Sequence, residues 1–260
     1  MRMTSRVLAA AAVMLGLGGA TAQAGGGGAE RFRVVVDAGH GGSNTGAPAR
    51  RPGSYEKRVT LAVAQALAAE LRGRGFEVVM TRNGDEYLTL RERVRRANAA
   101  AGDCFVSLHT NATGDGSRRG VETWVLARDA AEVEARRAAN HEGDDVQGML
   151  VELARLEAQR GGGLLAHAIQ SELAAAMGTI DRGMRQYGYD VLAGVAAPAV
   201  LVEMGFIDHP VEGAALLDPG AQRRAAVAIA TGIAHYAEEV RGAQKLVMSA
   251  AHATRRPTTR

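Results

Sequence analysis

The chain has 260 residues, 47% of them hydrophobic, so it can bury one sizeable core and one domain is expected. Its formal net charge is only +3, and no run of aromatic residues alternates with basic ones. This composition argues against a nucleic-acid-binding protein, whereas a mild positive charge is compatible with an anionic substrate or surface.

The first 24 residues have the pattern of a secretory signal peptide. Arg2 and Arg6 give a positive start, residues 7–20 form a short apolar run, and the tripeptide AQA ending at residue 24 fits a cleavage site. The apolar run is short for a membrane anchor, which is the alternative reading. We therefore predict an exported protein without a stable membrane anchor after cleavage. The periplasm is the favoured destination and the extracellular medium is the alternative.

After a glycine-rich linker at residues 25–30, strands and helices alternate along the chain. The first helix is predicted because Val59, Val63, Leu67 and Leu71 recur every four residues. The predicted strands are 32–37, 76–81, 103–109, 121–127, 189–192 and 199–203, and the predicted helices are 58–72, 88–101 and 221–241.

Residues 128–177 are charged and predicted to be helical, with breaks at Gly143 and at Gly161–Gly163. The whole pattern predicts a single α/β domain over residues 31–242. Its mostly parallel mixed sheet is covered by helices on both faces and carries a helical insertion at about residues 128–160. Residues 243–260 are predicted to be a basic, disordered tail.

Four polar side chains stand at or near the ends of predicted strands. His40 follows the first strand in the loop AGHGG, His109 closes the strand CFVSLH, and Glu203 closes the strand PAVLVE. Glu56 lies just before the first predicted helix, in the segment that leaves the His40 loop. Because ligands of parallel α/β sheets bind beyond the carboxyl ends of the strands, we expect these residues to converge at one edge.

Two imidazoles and one carboxylate are the ligand set of a catalytic zinc site that keeps its fourth position for water. A second carboxylate nearby can take a proton from that water and pass it to a leaving nitrogen. Taken singly, either histidine could have a structural role, and Glu56 could simply stabilise a helix N-terminus. The four together predict one Zn²⁺ per chain, with Glu203 as the base.

Other catalytic motifs are missing from the sequence, which has neither a G-x-S-x-G nucleophile elbow nor a P-loop. The single cysteine, Cys104, lies in an apolar run and is expected to be a small core residue. One thiol can form neither an internal disulfide nor a thiolate zinc site.

Four segments occur in an order that resembles a known family: VVVDAGHGG, YEKRVTLAVAQAL, FVSLHTNA and PAVLVEMGFIDHP. Together they are similar to the zinc-dependent N-acetylmuramoyl-L-alanine amidases of bacterial cell-wall turnover, the amidase_3 group. The resemblance runs from Arg33 to the last predicted helix. It implies a single α/β domain in which His40, Glu56 and His109 hold Zn²⁺ and Glu203 is the catalytic glutamate.

The resemblance also implies the reaction, which is hydrolysis of the amide between N-acetylmuramic acid and L-alanine of peptidoglycan. The expected role is cell-wall remodelling or daughter-cell separation. Asn111 lies at the family's HAN motif and could bind substrate or orient the loop. Asn44 stands where family members often carry aspartate, which makes it a second candidate for a contact to the substrate or to a metal ligand.

The predicted insertion has a possible regulatory role. Some division-associated members of the family carry a helical segment here whose glutamate blocks the zinc until a protein activator displaces it. The resemblance makes Glu142 or Glu134 the candidate autoinhibitory ligand. The alternative is a solvated helical pair that only shields the sheet, and the segment ARRAANHEG has no clear match to the expected Arg-Glu-Asn pattern.

Two other functions stay open on the sequence. A zinc peptidase acting within the peptidoglycan stem peptide would break an amide with the same site. A catalytically inactive wall-binding homologue would keep the fold, although it would have no need for Glu203. No oligomerisation segment stands out, so a monomer is expected.

Overall fold

The structure, a computed structural model, describes residues 31–127, Ala130 and residues 145–254. The chain divides into two compact units. The larger unit, residues 31–234, contains the whole sheet and is the α/β domain. The smaller unit joins residues 1–30 and 235–260, and its described part is the end of the last helix.

Strands and helices alternate through most of the described chain. The first six elements agree with the sequence prediction to within two residues at each end. In chain order the described elements are β1 (Arg33–Ala38), α1 (Glu56–Gly73), β2 (Glu77–Met80), α2 (Leu90–Ala99), β3 (Cys104–Asn111), β4 (Val121–Leu126), α3 (Asp145–Met177), β5 (Asp181–Tyr187), α4 (Asp190–Ala193), β6 (Ala199–Phe206), α5 (Glu212–Leu216) and α6 (Pro219–Thr254).

The six strands form one sheet in the order β2-β1-β3-β6-β4-β5. β1 pairs parallel with β2 and β3, and β3 pairs parallel with β6. β4 is antiparallel to β6 and parallel to β5, so β4 and β5 run opposite to the other four strands. The predicted mostly parallel mixed sheet is confirmed.

Helices cover both faces of this sheet. α1 buries Val59, Val63 and Leu67 and packs on β1, β2 and β3. α3 packs on β4, β5 and β6, where the hydroxyl of Thr123 donates to Oε1 of Gln170 at 2.8 Å. α2 and α4 cover the opposite face, and the cluster there consists of Val35, Ala97, Phe105, Val191, Leu192 and Leu201.

The predicted break at Gly161–Gly163 is wrong, because α3 continues through all three glycines. At Gly162, an added Cβ would lie only 3.1 Å from the carbonyl oxygen of Ala199 in β6. Glycine therefore serves a close approach of helix and strand here, and the helix tolerates it because packing outweighs propensity. Residues 145–160 of the predicted insertion are the first half of α3, while Gly143 lies outside the described residues.

The prediction of a strand at residues 189–192 is also wrong, and β5 was missed. Residues 190–193 form the short helix α4, whose Val191 and Leu192 are buried in the core. β5 has the sequence DRGMRQY and is largely exposed, so it lacks the apolar alternation that marks a strand. It forms through backbone pairing with β4 at the edge of the sheet.

The last helix is longer than predicted. α6 runs to Thr254, so residues 243–254 are helical where the sequence predicted a disordered tail, and the final six residues lie outside the described part. Among the described residues, no helix combines the length and apolar character needed to cross a bilayer. Cys104 is fully buried in β3, as predicted for a core residue.

Candidate metal centre

His40 lies just beyond the end of β1, in a loop with unusual backbone geometry. Its φ of 59° is in the left-handed region, which few residues other than glycine adopt, and Gly41 follows with a φ of 123°. Paired hydrogen bonds between the backbones of Gly41 and Asn44 close the turn. The loop thus holds the His40 ring in a conformation that the chain would not adopt without these contacts.

Two buried arginines fix the His40 loop from beneath. Arg82 donates to the carbonyl oxygens of Ala38 and Gly39, each at 2.8 Å. Arg93 donates to the carbonyl oxygens of Ala38 and His40. These loop carbonyl oxygens therefore accept hydrogen bonds from charged guanidinium groups, and such hydrogen bonds are stronger than those from neutral donors.

Asp37, the penultimate residue of β1, balances the charge of Arg93 below the loop. It is fully buried and accepts from Arg93 at 2.8 Å, from Ser107 at 2.7 Å and from Thr81. In the sequence-based prediction, Asp37 is only the last residue of the first strand. A charged residue within a buried strand was the signal available, because such a group needs buried partners.

Glu56 is the first residue of α1 and joins the two histidines. Its Oε2 lies 3.0 Å from His40 Nε2, and its Oε1 lies 3.1 Å from His109 Nδ1. The backbone N–H groups of Ala47 and Thr110 donate to the same carboxylate at 3.0 and 2.9 Å. The side chain is 3% exposed, so β1, α1 and β3 together place it between the imidazoles.

The hydrogen bonds identify which ring nitrogens face Glu56. Asn44 Oδ1 accepts a hydrogen bond from the N–H of Gly46 at 3.2 Å and lies 2.9 Å from His40 Nδ1. Since this oxygen is an acceptor, Nδ1 is the protonated nitrogen, and Nε2 is the nitrogen that can coordinate a metal ion. In His109, Nε2 packs so closely against Gly39 that a Cβ there would overlap it, while Nδ1 faces Glu56. Asn44 contacts a predicted metal ligand.

Electrostatics favour an ionised Glu56 beside the two rings. Burial alone would raise the pKa of Glu56, but hydrogen bonds and charge interactions with His109 and His40 hold it well below its usual range. Burial lowers the pKa of His40, and the contacts with Glu56 and Asn44 more than offset this, so the pKa is raised.

The donor set fits a metal ion. Each of His40, Glu56 and His109 offers one ligand atom, and these atoms lie within 4.8 Å of one another. Two imidazole nitrogens and one carboxylate oxygen suit Zn²⁺, whereas Mg²⁺ and Ca²⁺ prefer oxygen ligands alone. Gly46 keeps space open here, since a Cβ at this position would lie 2.6 Å from Glu56 Oε2.

Glu203 reaches the same edge from β6. It pairs in register with His109 of β3, so both side chains lie on the same face of the sheet. It is 8% exposed, and its buried Oε2 has no hydrogen-bond partner among the described residues. Burial, reinforced by the charges of Glu56 and Glu122, raises the pKa of Glu203 well above its ordinary value of 4.5.

A second buried glutamate, Glu122, was missed by the sequence analysis. It lies on β4 directly opposite Glu203 and is 3% exposed. Its Oε1 accepts from Asn111 Nδ2 at 2.8 Å. Its Oε2 accepts from Arg182 Nε at 3.0 Å and forms an ion pair with Arg185 of β5, also at 3.0 Å. Alternation along VETWV could have revealed it, because it places Glu122 on the face opposite to Val121.

Asn111 lies two residues beyond His109 on β3, and its side chain contacts Glu122. Its Nδ2 donates a hydrogen bond to Glu122 Oε1, and its Oδ1 accepts one from the N–H of Ala112 at 2.9 Å. The structure therefore brings together His40, Asn44, Glu56, His109, Asn111 and Glu203. Glu134 and Glu142, the candidate autoinhibitory ligands, lie outside the described residues.

Comparison with known proteins decides the family. The model of the Amidase_3 family, described as N-acetylmuramoyl-L-alanine amidase, matches residues 34–235. The chain belongs to the Amidase_3 family. Membership makes it a cell-wall amidase and makes peptidoglycan its substrate class.

Amidase_3 relatives agree with this match in sequence and structure. The chain is 31% identical to the N-acetylmuramoyl-L-alanine amidase AmiA of Escherichia coli K12 over 218 residues, covering 78% of this chain and 75% of AmiA. The catalytic domain of the amidase CwlV from Bacillus (Paenibacillus) polymyxa var. colistinus superposes with a TM-score of 0.64 at 31% identity, covering 80% and 98% of the two chains. An amidase structure from Clostridium difficile 630 gives a TM-score of 0.66 at 28% identity, covering 80% and 97%.

Proposed function

We propose that the chain is an exported, zinc-dependent amidase that cleaves the amide between N-acetylmuramic acid and L-alanine in peptidoglycan, during cell-wall remodelling or daughter-cell separation. One observation carries the proposal: the His40–Glu56–His109 cluster lies beside Glu203, a buried glutamate on a register-paired strand whose Oε2 has no hydrogen-bond partner among the described residues. Zinc is a general feature of the family, and this donor set suits it.

In this proposal His40, Glu56 and His109 would hold one Zn²⁺ per chain, through one ring nitrogen of each histidine and a carboxylate oxygen of Glu56. Bound Zn²⁺ would polarise the substrate carbonyl and promote ionisation of water at neutral pH. Asn44 orients the His40 ring because its Oδ1 accepts a hydrogen bond from His40 Nδ1. The buried arginines beneath the loop keep His40 in place.

Glu203 has the acid and base role. It accepts a proton from the attacking water as the new carbon–oxygen bond forms, and it then donates that proton to the nitrogen of L-alanine as the carbon–nitrogen bond breaks. A carboxyl group whose pKa is raised by burial is suited to the second step, because it retains the transferred proton more readily than an ordinary carboxyl group. Asn111 and Glu122 support the strand that carries it.

Digestion of purified peptidoglycan sacculi tests this function, with products identified by mass spectrometry. We expect glycan strands freed of peptide, together with intact stem peptides that begin with L-alanine. Cleavage within the stems would instead support the peptidase, and binding without products in the zinc-loaded protein would support the inactive homologue.

We further propose that the helical insertion predicted at about residues 128–160 restrains activity and that a protein activator relieves this restraint, with Glu142 or Glu134 as the blocking ligand. The test replaces residues 131–144 with a Gly-Ser linker and compares basal release of stem peptides. This replacement spares Arg155 and Gln159, which line a cavity of about 320 Å³ beside β6 and α4. Basal activity equal to that of the full chain would contradict the restraint.

Export is proposed from the signal sequence, with the periplasm favoured over the medium. Fractionation of cells producing the full chain, followed by N-terminal sequencing of the mature protein, tests this. We expect a mature N-terminus at Gly25 outside the cytoplasm.

A further inference from the structure

The sheet face that carries Glu203 continues into β4 and β5 with polar and aromatic side chains. Glu122 lies opposite Glu203 in the β4–β6 register, and Trp124 pairs in register with Arg185 of β5. Because side chains alternate along a strand, Glu122 and Trp124 point to the same side as Glu203. These residues extend the candidate site from β6 across β4 to β5, on the side of β6 opposite to His109 in β3.

The charges in this extension do not balance. Oε2 of Glu122 accepts a hydrogen bond from Arg182 Nε at 3.0 Å and forms an ion pair with Arg185 Nε, also at 3.0 Å, while Oε1 accepts from the neutral amide of Asn111. One negative charge therefore faces two guanidinium groups. Counting these three ionised groups, the surface beside Glu203 has one positive charge in excess.

Arg185 holds that excess charge in an accessible position. Its side chain is 43% exposed, compared with 21% for Arg182. Nε is anchored on Glu122, and the guanidinium lies 5.7 Å from the centre of the Trp124 ring, which limits its motion. Within the part of the chain that the structure describes, its two terminal nitrogens have no hydrogen-bond partner, so they are available to a ligand.

Arg182 provides a natural comparison. It makes the same Nε contact with Glu122, but its guanidinium lies over Phe206 at 5.3 Å, and its Nη1 approaches the carbonyl oxygen of Arg119 at 3.5 Å. Arg182 is thus engaged with the protein on several sides. Only Arg185 combines the anchor on Glu122 with an open side.

We propose that Arg185 is a substrate-binding residue that recognises a carboxylate of the stem peptide, one residue beyond the L-alanine released by the enzyme. This inference rests on the proposed function, because it assumes cleavage at the muramoyl–L-alanine amide. A planar guanidinium with free terminal nitrogens binds a carboxylate through two parallel hydrogen bonds. The residue after L-alanine in peptidoglycan is D-glutamate, whose α-carboxylate is free unless it is amidated.

The distances suit this assignment. Glu203, which protonates the L-alanine nitrogen, and Glu122 are directly opposite residues on adjacent antiparallel strands, so their Cα atoms lie about 5 Å apart. Arg185 Nε lies 3.0 Å from Glu122 Oε2, so its guanidinium reaches back from β5 to the residue beside Glu203. An extended dipeptide spans about 7 Å, longer than the roughly 4.8 Å between neighbouring strands, so a peptide that runs from Glu203 towards β5 brings the carboxylate of its second residue to the part of the sheet that carries Arg185.

The experiment compares two synthetic substrates, N-acetylmuramoyl-L-alanyl-D-glutamate and its D-isoglutamine analogue, which differ only in this carboxylate. We expect wild type to favour the glutamate compound by about 10- to 100-fold in kcat/KM, mainly through KM. Arg185→Gln should bring the ratio of the two kcat/KM values close to one. Arg182→Gln is the matched control, because it also removes one positive charge and one contact with Glu122. It should keep the preference for the glutamate compound, because Arg185 is still present.

A second readout avoids turnover. In a Glu203→Gln background, calorimetry should show tighter binding of the glutamate compound, and adding Arg185→Gln should abolish the difference. Equal kcat/KM values in wild type, or equal loss of preference in the Arg182 and Arg185 variants, would overturn the proposal. Failure of wild type to release stem peptides from sacculi would instead overturn the proposed function on which it rests.

Discussion

At the scale of single residues, the site depends on a contrast between two glutamates. Glu56 accepts hydrogen bonds from two backbone N–H groups and contacts both His40 and His109, so its carboxylate is stabilised. Glu203 is also buried but has one oxygen with no hydrogen-bond partner among the described residues. The same side chain is therefore suited to holding a cation in one environment and to carrying a proton in the other.

This contrast predicts different outcomes for two substitutions. Glu203→Gln should retain zinc but lose about 10²- to 10⁴-fold in turnover, because the proton carrier is removed while the ligands stay. His109→Ala should lose both zinc and turnover. Metal content measured by mass spectrometry, together with release of stem peptides, separates the cases. Retained turnover in Glu203→Gln would refute the assigned role of Glu203.

Stability against pH gives a second prediction for Glu203. Its pKa is raised, mainly by burial, above the ordinary 4.5, so the folded metal-free protein holds this proton more tightly than the unfolded chain. The stabilisation is complete below 4.5 and is lost as pH rises through the folded-state pKa. Glu203→Gln removes this loss, so its advantage in free energy of unfolding should grow with pH.

Urea denaturation in EDTA at several pH values measures the difference between the variant and wild type. EDTA is needed because a bound cation would favour the ionised carboxylate. A difference that is independent of pH above 4.5 would contradict the assignment of a raised pKa.

The residues that follow apolar runs were predictable from the sequence, whereas those on the exposed edge strand were not. His40, His109 and Glu203 each follow an apolar run, so their convergence follows from the sheet rule. Arg185 lies in a strand with no apolar pattern, and its position depends on pairing with β4. Its contact with Glu122 is a tertiary fact that no local pattern records.

At the scale of elements, α3 shows how packing overrides local propensity. Three consecutive glycines predict the end of a helix, yet α3 runs through them. Gly162 is needed because β6 lies against it, whereas an added Cβ on Gly163 would meet nothing within 4 Å. Close packing against β6 therefore requires glycine at position 162 but does not require it at position 163.

Alanine substitutions at these two positions should separate the effects. Gly163→Ala should raise the free energy of unfolding by about 0.5–1 kcal/mol, because it restores helix propensity without a clash. Gly162→Ala should gain less or destabilise, since its methyl group would lie 3.1 Å from the Ala199 carbonyl oxygen. Thermal or urea denaturation compares the two. Equal gains would show that the close approach has no energetic weight.

At the scale of the whole molecule, a metal centre built from β1, α1 and β3 links metal binding to folding. A ligand that binds only the folded chain stabilises it by mass action, by about 2.7 kcal/mol at a hundredfold excess over its dissociation constant. We expect Zn²⁺ to raise the free energy of unfolding by that amount and EDTA to reverse the effect. His109→Ala should show no such response, and a zinc effect that persists in this variant would point to binding elsewhere.

The position of β6 in the sheet has a consequence for the order of folding. β2, β1 and β3 form one side of the sheet and β4 and β5 the other, and in the described sheet only β6 is hydrogen-bonded to both. His40, Glu56 and His109 belong to the first side, and Arg185 belongs to the second. Because β6 follows both in sequence and makes long-range pairings, it is expected to join them late. The strand that delivers Glu203 is thus the one that completes the fold, so hydrolytic activity should appear only with the native state.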